Sequence, residues 1–405
     1  GAGSLVLGGG KNTVKLGKNS WLGVEDEIYG MATLTIGDSD EGNNLVNSIG
    51  IIANVFSDTS IELGKNTKTS IGSIADMLTK ASAKITLKQA ADLEIKNQFQ
   101  GLNSMNIQKD ASFTYSGNGV ITGTESASTI NLAEGSSFNA GAATVDLGGG
   151  ANTISIAKDA IMATGDLTGV AKLNLAAGTA TIKQDSVVNG GDIELTGAYE
   201  AAEGKSSITL GAFAIFNGFA VSSSIYGGSL MISVGGNASW TSGKISGVTN
   251  FTSANAAAYK LKSGTVDGNT AITTGSISGT DSADTLSFGA QNTVIINGSV
   301  SLGEGNDKLS LGKNSTLLVL GDVNFGFGKD TVAVSESAIA TITGSMIGAN
   351  DLNVKNGATL TVAGSYVGTD AYADKITIGT AFASFDGIHF ITNGLDEMYN
   401  ATKAT

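Results

Sequence analysis

Short bursts of alternating apolar and polar residues recur along this chain, each led by a Gly-rich stretch and an Asp or Asn. In the C-terminal third they read DTLSF from Asp284, DKLSL from Asp307, DTVAV from Asp330, DLNV from Asp351 and DKITI from Asp374. The steps between these anchors are 23, 23, 21 and 23 residues (307 − 284, 330 − 307, 351 − 330 and 374 − 351). Alternation over four or five residues specifies a half-buried strand, because successive side chains point to opposite faces; a helix needs apolar positions three and four apart. A near-constant step means that one small structural unit repeats.

Each step has the same order: Gly-rich turn, Asp, short strand, a Gly or Asn turn, a second strand, Gly again. The step from Asp307 reads DKLSLG, KNSTLLVLG and DVNFG. The N-terminal part follows suit, since KLGKNSWL (Lys15 to Leu22) and IELGKNTKTSIG (Ile61 to Gly72) echo SLGKNSTL (Ser310 to Leu317). In the middle, Ser128 to Asn152 is a step of 24 and Ser207 to Ser229 a step of 22. No such unit can bury its apolar face alone; stacking on its neighbours does so. The expected fold is therefore all-β, a parallel β-solenoid of β-helix or β-roll type with rungs of about 21–24 residues. At 23 residues per rung, 405 residues make at most roughly 17 rungs. The solenoid is expected to span 1–384, with irregular insertions near 75–98 and 198–204, the first opening with a helical turn. Residues 385–405 read as a cap or the lead into a following segment, because a last rung would otherwise expose unpaired backbone.

Composition supports this picture. The chain has 57 Gly, no Pro and no Cys, and its basic residues are all Lys. Pro would remove a donor from the ladder on which stacking depends. Apolar residues at 41% suffice for a core, and aromatics at 6% suggest one built from Val, Ile, Leu and Ala rather than stacked rings. A net charge of −13 disfavours nucleic acid and anionic membrane surfaces and favours cations. No run of 18 apolar residues exists, so no transmembrane helix is encoded.

One nine-residue phrase stands out. It occurs as LGGGKNTVK (Leu7 to Lys15), LGGGANTIS (Leu147 to Ser155), LGEGNDKLS (Leu302 to Ser310) and FGFGKDTVA (Phe325 to Ala333). It resembles the RTX nonapeptide of calcium-binding β-rolls, G-G-x-G-x-D-x-U-x, where U is a large apolar residue. The last two copies match at Gly303, Gly305, Asp307 and Leu309 and at Gly326, Gly328, Asp330 and Val332, with Leu302 and Phe325 in place of the first Gly. The resemblance implies calcium held between stacked turns by carbonyl and Asp oxygens, at Gly303, Gly305, Asp307, Gly326, Gly328 and Asp330. RTX arrays run their nonapeptides in tandem, whereas here some fourteen unrelated positions follow each phrase. Two copies carry Asn12 or Asn152 in place of Asp, where an amide would bond the stacked backbone instead.

Other motifs are poorer. Gly37 to Glu41 (GDSDE) is an acidic loop that could take a cation, and His389 lies far from any Ser-His pairing, as a structural residue of the end segment. Gly204-Lys205-Ser206 ends like a P-loop, but Tyr199 stands where its first Gly is required. Trp21 and Trp240 read as packing residues. The composition is similar to that of bacterial S-layer and RTX-type exported proteins, which implies a non-enzymatic extracellular protein at the bacterial cell surface. Its partners would be further copies of itself, as an oligomer, lattice or filament, and a cell-surface glycan. A rod-like adhesin passenger is the alternative, and a polysaccharide-active β-helix enzyme a further one.

Overall fold

The computed structural model describes residues 3–8, 11–42, 45–54, 58–76, 82–176, 179–181, 186–188, 192–195, 198–201, 205–218, 220–223, 229–261, 264–368 and 374–389. Among these every regular element is a strand, stacked in parallel as a β-solenoid of about 14 turns. The chain divides into two compact units, one of Gly1–Thr179, Val187–Ser206 and Ala214–Phe219, the other of Ala180–Ser186, Ser207–Phe213 and Ala220–Thr405.

From Thr285 to Ile347 in the second unit each rung supplies three strands. Thr285–Phe288, Asn292–Ile296 and Val300–Gly303 are followed by Lys308–Leu311, Thr316–Val319 and Val323–Asn324, then by Asp330–Val334, Ile339–Ile342 and Met346–Ile347. Each of these strands pairs in parallel with its counterpart one rung on. Leu286 lies on Leu309 and Leu309 on Val332, Val294 on Leu317, and Val300 on Val323. The alternation read from the sequence thus becomes columns of inward side chains; Leu286, Val294 and Val300 are all buried. Each buried Leu, Ile or Val contributes roughly 1.5–3 kcal/mol, and only the neighbouring rungs can supply that burial.

The first unit is built alike. One column of its core runs from Leu34 through Ile61, Ile85, Met105 and Ile130 to Ile154. Rings also contribute. Phe113 and Phe138 are register partners with centroids 4.8 Å apart, and in the second unit Phe251 lies 5.7 Å from Phe288. The core is therefore not purely aliphatic: Phe113 and Phe138 meet in register, while Phe251, whose register partner is Leu286, reaches the ring of Phe288 two residues along.

The GKN echoes mark a corner. Asn19, Asn66 and Asn314 have φ of 53°, 54° and 56°, the left-handed region that Asn tolerates better than other side chains with a Cβ. The amide of Asn314 donates to the carbonyl of Glu336 at 3.2 Å, and that of Asn66 to Gln89 at 3.1 Å, so these corners stack as the strands do.

Several expectations are corrected. The 75–98 stretch is no insertion: its described parts fall in Lys68–Asp76, Ala83–Leu87 and Asp92–Ile107, all in register, while 77–81 lie outside the described residues. The stretch is rich in Lys, which broke the strand rhythm, yet Lys84 points outward from the strand while Ile85 is buried. Ala198–Ala201 is likewise a strand, with Tyr199 paired to Leu167 and buried. Phe382–His389 continues the stacking beyond residue 384, on Thr359–Val367. Residues 390–405 of the expected cap lie outside the described residues, as does the side chain of His389. Several rungs exceed the expected length, two of them by far: Met162 stacks on Ile193, 31 residues on, and Trp240 on Ile272, 32 residues on. The second accommodates an antiparallel hairpin, Tyr259–Leu261 with Gly264–Val266. Such insertions help explain why the turns number about 14 rather than 17.

Candidate functional site

The nonapeptide turns of the second unit form one column. The amide of Asp284 donates to Oδ1 of Asp307 at 2.8 Å, and the amide of Asp307 to Oδ1 of Asp330 at 2.7 Å. The amide of Asp330 donates to Oδ1 of Asn350 at 2.9 Å, and Nδ2 of Asn350 to Oδ1 of Asp374 at 3.3 Å. Each side chain thus accepts from the rung before it. Asp307 and Asp330, expected to stack, do so directly. The place expected for Asp351 belongs to Asn350: a bulge pairs Asp330 with Ala349 but Thr331 with Asp351, leaving Asn350 facing inward.

The glycines are what let the turns approach. Gly303 and Gly305 have φ of +96° and +123°, values that a Cβ disfavours. A Cβ on Gly326 would collide with the carbonyl oxygen of Gly303, and one on Gly328 with that of Gly305.

The column is electrostatically uneven. Asp284, Asp307 and Asp330 are each no more than 1% exposed. Oδ2 of Asp307 and Oδ2 of Asp330 are buried with no hydrogen-bond partner. Burial pushes the Asp307 carboxyl up to about 7; the hydrogen bond from the Asp284 amide opposes this, and the charges of Asp330 and Asp284 add to it. Asp284, Asp330 and Asp374 are also raised, chiefly by burial. Asp284 is relieved in part because the amide and hydroxyl of Thr280 both donate to it, at 2.6 and 3.0 Å.

Asn152, in the first unit, shows what the same phrase does with an amide. Its Oδ1 accepts from the amide of Ser128 at 2.6 Å, and its Nδ2 donates to the carbonyls of Gly169 at 2.8 Å and Gly148 at 3.1 Å. Asn12 repeats the arrangement, donating to Gly30 at 2.8 Å and Gly8 at 3.1 Å. The Asn phrases therefore bond the stacked backbone, as their residue type implies. In the phrase of Asp307 the counterparts of Gly148 and Gly169 are Gly303 and Gly326, and a carboxylate has no N–H to offer their carbonyls. Something positive, a proton or a cation, is what such a turn lacks.

Oxygen-only donors of this kind fit a hard cation. The residues able to hold one are Asp307 and Asp330 through Oδ2, together with the turn carbonyls. Among the described residues no group of three or more His, Cys, Asp or Glu side chains is gathered for a metal, so carbonyls and water would complete the six to eight oxygens calcium takes.

The remaining motifs are occupied. Oδ1 of Asp38 accepts from the Lys65 amide at 2.9 Å and Oδ2 of Asp40 from Nδ2 of Asn19 at 2.7 Å, so the GDSDE loop closes a corner. Trp240 packs as expected, fully buried, with its indole N–H on Oγ of Ser242 at 2.9 Å. Trp21 does not: it is 55% exposed, lying over Gly23 with its indole N–H on the Val46 carbonyl at 2.6 Å. Trp240 lies inward within the strand Ser239–Thr241, whereas Trp21 stands before the strand Gly23–Tyr29, where alternation says nothing about which way a side chain faces. No family model, curated protein or solved structure matches this chain.

Proposed function

We propose that this chain is a non-enzymatic structural protein of the bacterial cell surface, extracellular, whose solenoid units assemble into a layer, sheath or filament and whose Asp column takes calcium. The observation that carries the reading is the pair of buried, unpartnered Oδ2 atoms of Asp307 and Asp330 on consecutive rungs. Bound calcium would supply the positive charge that these carboxylates lack, and Gly303, Gly305, Gly326 and Gly328 leave the turn backbone open to close approach. The net charge of −13 suits a protein that meets divalent cations outside the cell and needs them to bring like-charged copies together.

The test is the purified chain with millimolar calcium or with a chelator, followed by electron microscopy and sedimentation. Ordered arrays or fibres with calcium, dispersed by the chelator, are expected. Monodisperse particles in both conditions, with no change in thermal stability on adding calcium, would sink both assembly and the site.

A further inference from the structure

We propose that the first unit carries a binding groove for a neutral saccharide, lined by outward-facing residues of four stacked strands and flanked at its Val46 end by Trp21. This is independent of the assembly reading and of the Asp column, which belongs to the second unit.

The groove crosses Val46–Asn54, Lys68–Asp76, Asp92–Ile107 and Ser112–Tyr115, which pair in parallel in that order. Val46 lies beside Lys68, Lys68 beside Asp92, and Asp92 beside Ser112. Two residues along, Ser70, Glu94 and Thr114 form a second outward column. Between the columns is an open depression of about 200 Å³, room for a single sugar ring. Because consecutive rungs lie about 4.8 Å apart, a saccharide chain laid along the stacking direction meets the same two columns again at each rung.

Chemistry selects the occupant. One end of the groove is formed by Val46, 45% exposed, and just beyond it lies Trp21, 55% exposed and pinned by its indole N–H to the Val46 carbonyl. An exposed indole so fixed presents a face to the C–H groups of a sugar with little rotamer entropy to lose. The other end offers hydroxyls and carboxylates. Oδ1 of Asp92 accepts from Oγ of Ser112 at 2.6 Å, and Oε1 of Glu94 from Oγ of Ser116 at 2.9 Å. Each carboxylate has acceptor capacity beyond these bonds, since two oxygens offer about four lone-pair sites. Acceptors beside hydroxyls and the ammonium of Lys68, with Nζ of Lys96 3.9 Å from Oε2 of Glu94, match a ligand that is itself all hydroxyls. The net charge of −13 on the whole chain disfavours a uronate or sialate.

The intact chain tests this through its own reporter. Trp240 is buried and Trp21 exposed, so a change in tryptophan emission on adding sugar reads Trp21. Hexasaccharides of neutral hexoses, and an oligogalacturonate as acidic comparator, would be titrated by fluorescence and calorimetry. At least one neutral oligosaccharide should bind and shift the emission, with the acidic one inert. Trp21→Ala should weaken calorimetric affinity at least tenfold, Trp21→Phe much less, and Glu94→Gln or Asp92→Asn several-fold, while Glu336→Gln should bind as wild type. Circular dichroism checks that each variant is folded, and the exposed Glu94→Gln change carries the test if Trp21→Ala is not. No binding of any neutral hexasaccharide at millimolar concentration, preference for the acidic one, or affinity indifferent to Trp21→Ala and Glu94→Gln would overturn the assignment.

Discussion

Asp307 concentrates the chemistry of the second unit in one side chain. Its folded carboxyl titrates near 7, against roughly 3.9 for an Asp in an unfolded chain. Between those values the folded state holds a proton that the unfolded state has released, so stability is highest on the acid side and falls as pH rises from about 4 to about 7. The raised carboxyls of Asp284, Asp330 and Asp374 act in the same direction. With chelator present, unfolding by denaturant should show a loss on the order of 2 kcal/mol between pH 4 and pH 8, and Asp307→Asn should flatten it. Parallel pH profiles for the two proteins would refute this. Asn152 and Asn12 show that an amide satisfies the same turn. At pH 8 in chelator, Asp307→Asn should therefore exceed the wild type in stability by about 1 kcal/mol and lose any calcium-dependent rise in melting temperature. A less stable Asn variant under those conditions would mean that the ionised carboxylate is well accommodated.

At the scale of turns and strands, close stacking puts the strictest demand on glycine. Gly328→Ala drives a Cβ into the Gly305 carbonyl, with both turns fixed by the Asp column, and should cost about 2–4 kcal/mol in chemical denaturation. Gly141 has a φ of +57° and nothing within 4 Å of its added Cβ, so Gly141→Ala should cost only about 1 kcal/mol. Equal costs would show that backbone conformation, not stacking, governs these corners. The strands and this column were legible from Asp284 to Asp330 because neither side chain pattern nor spacing is interrupted there. The reading slipped at Asp351, where a bulge moves the inward position to Asn350, since a bulge changes the residue count without changing residue type. It slipped again at 75–98, where Lys on the outer face hid an ordinary strand, and at the 32-residue rung, where a hairpin is inserted between two strands that remain in register. Trp21 escaped for another reason: exposure depends on what lies alongside, which a single strand's pattern does not encode.

For the whole molecule, the consequence of stacking is that stability resides in nearest-neighbour contacts between rungs rather than in one central core. The segment Thr285–Val334 makes this testable, because each of its columns advances by 23 residues: Leu286 to Leu309 to Val332, and Val294 to Leu317 to Ala340. Excising residues 308–330 removes one complete rung and joins Asp307 to Thr331, leaving Leu286 to stack on Val332 and Val294 on Ala340. The shortened chain should keep the wild-type circular dichroism per residue and unfold with a slope against denaturant reduced in proportion to the lost surface. Excising 308–318, eleven residues and only about half a rung, should instead collapse the signal of this unit, because it removes strand Lys308–Leu311 and part of the next without a whole rung and leaves the displaced strands out of register with their partners. The 23-residue excision also removes Asp330 and with it one of the two unpartnered oxygens, so a deletant that stacks normally but no longer responds to calcium would separate the role of the turn in building the rung from its role in holding a cation.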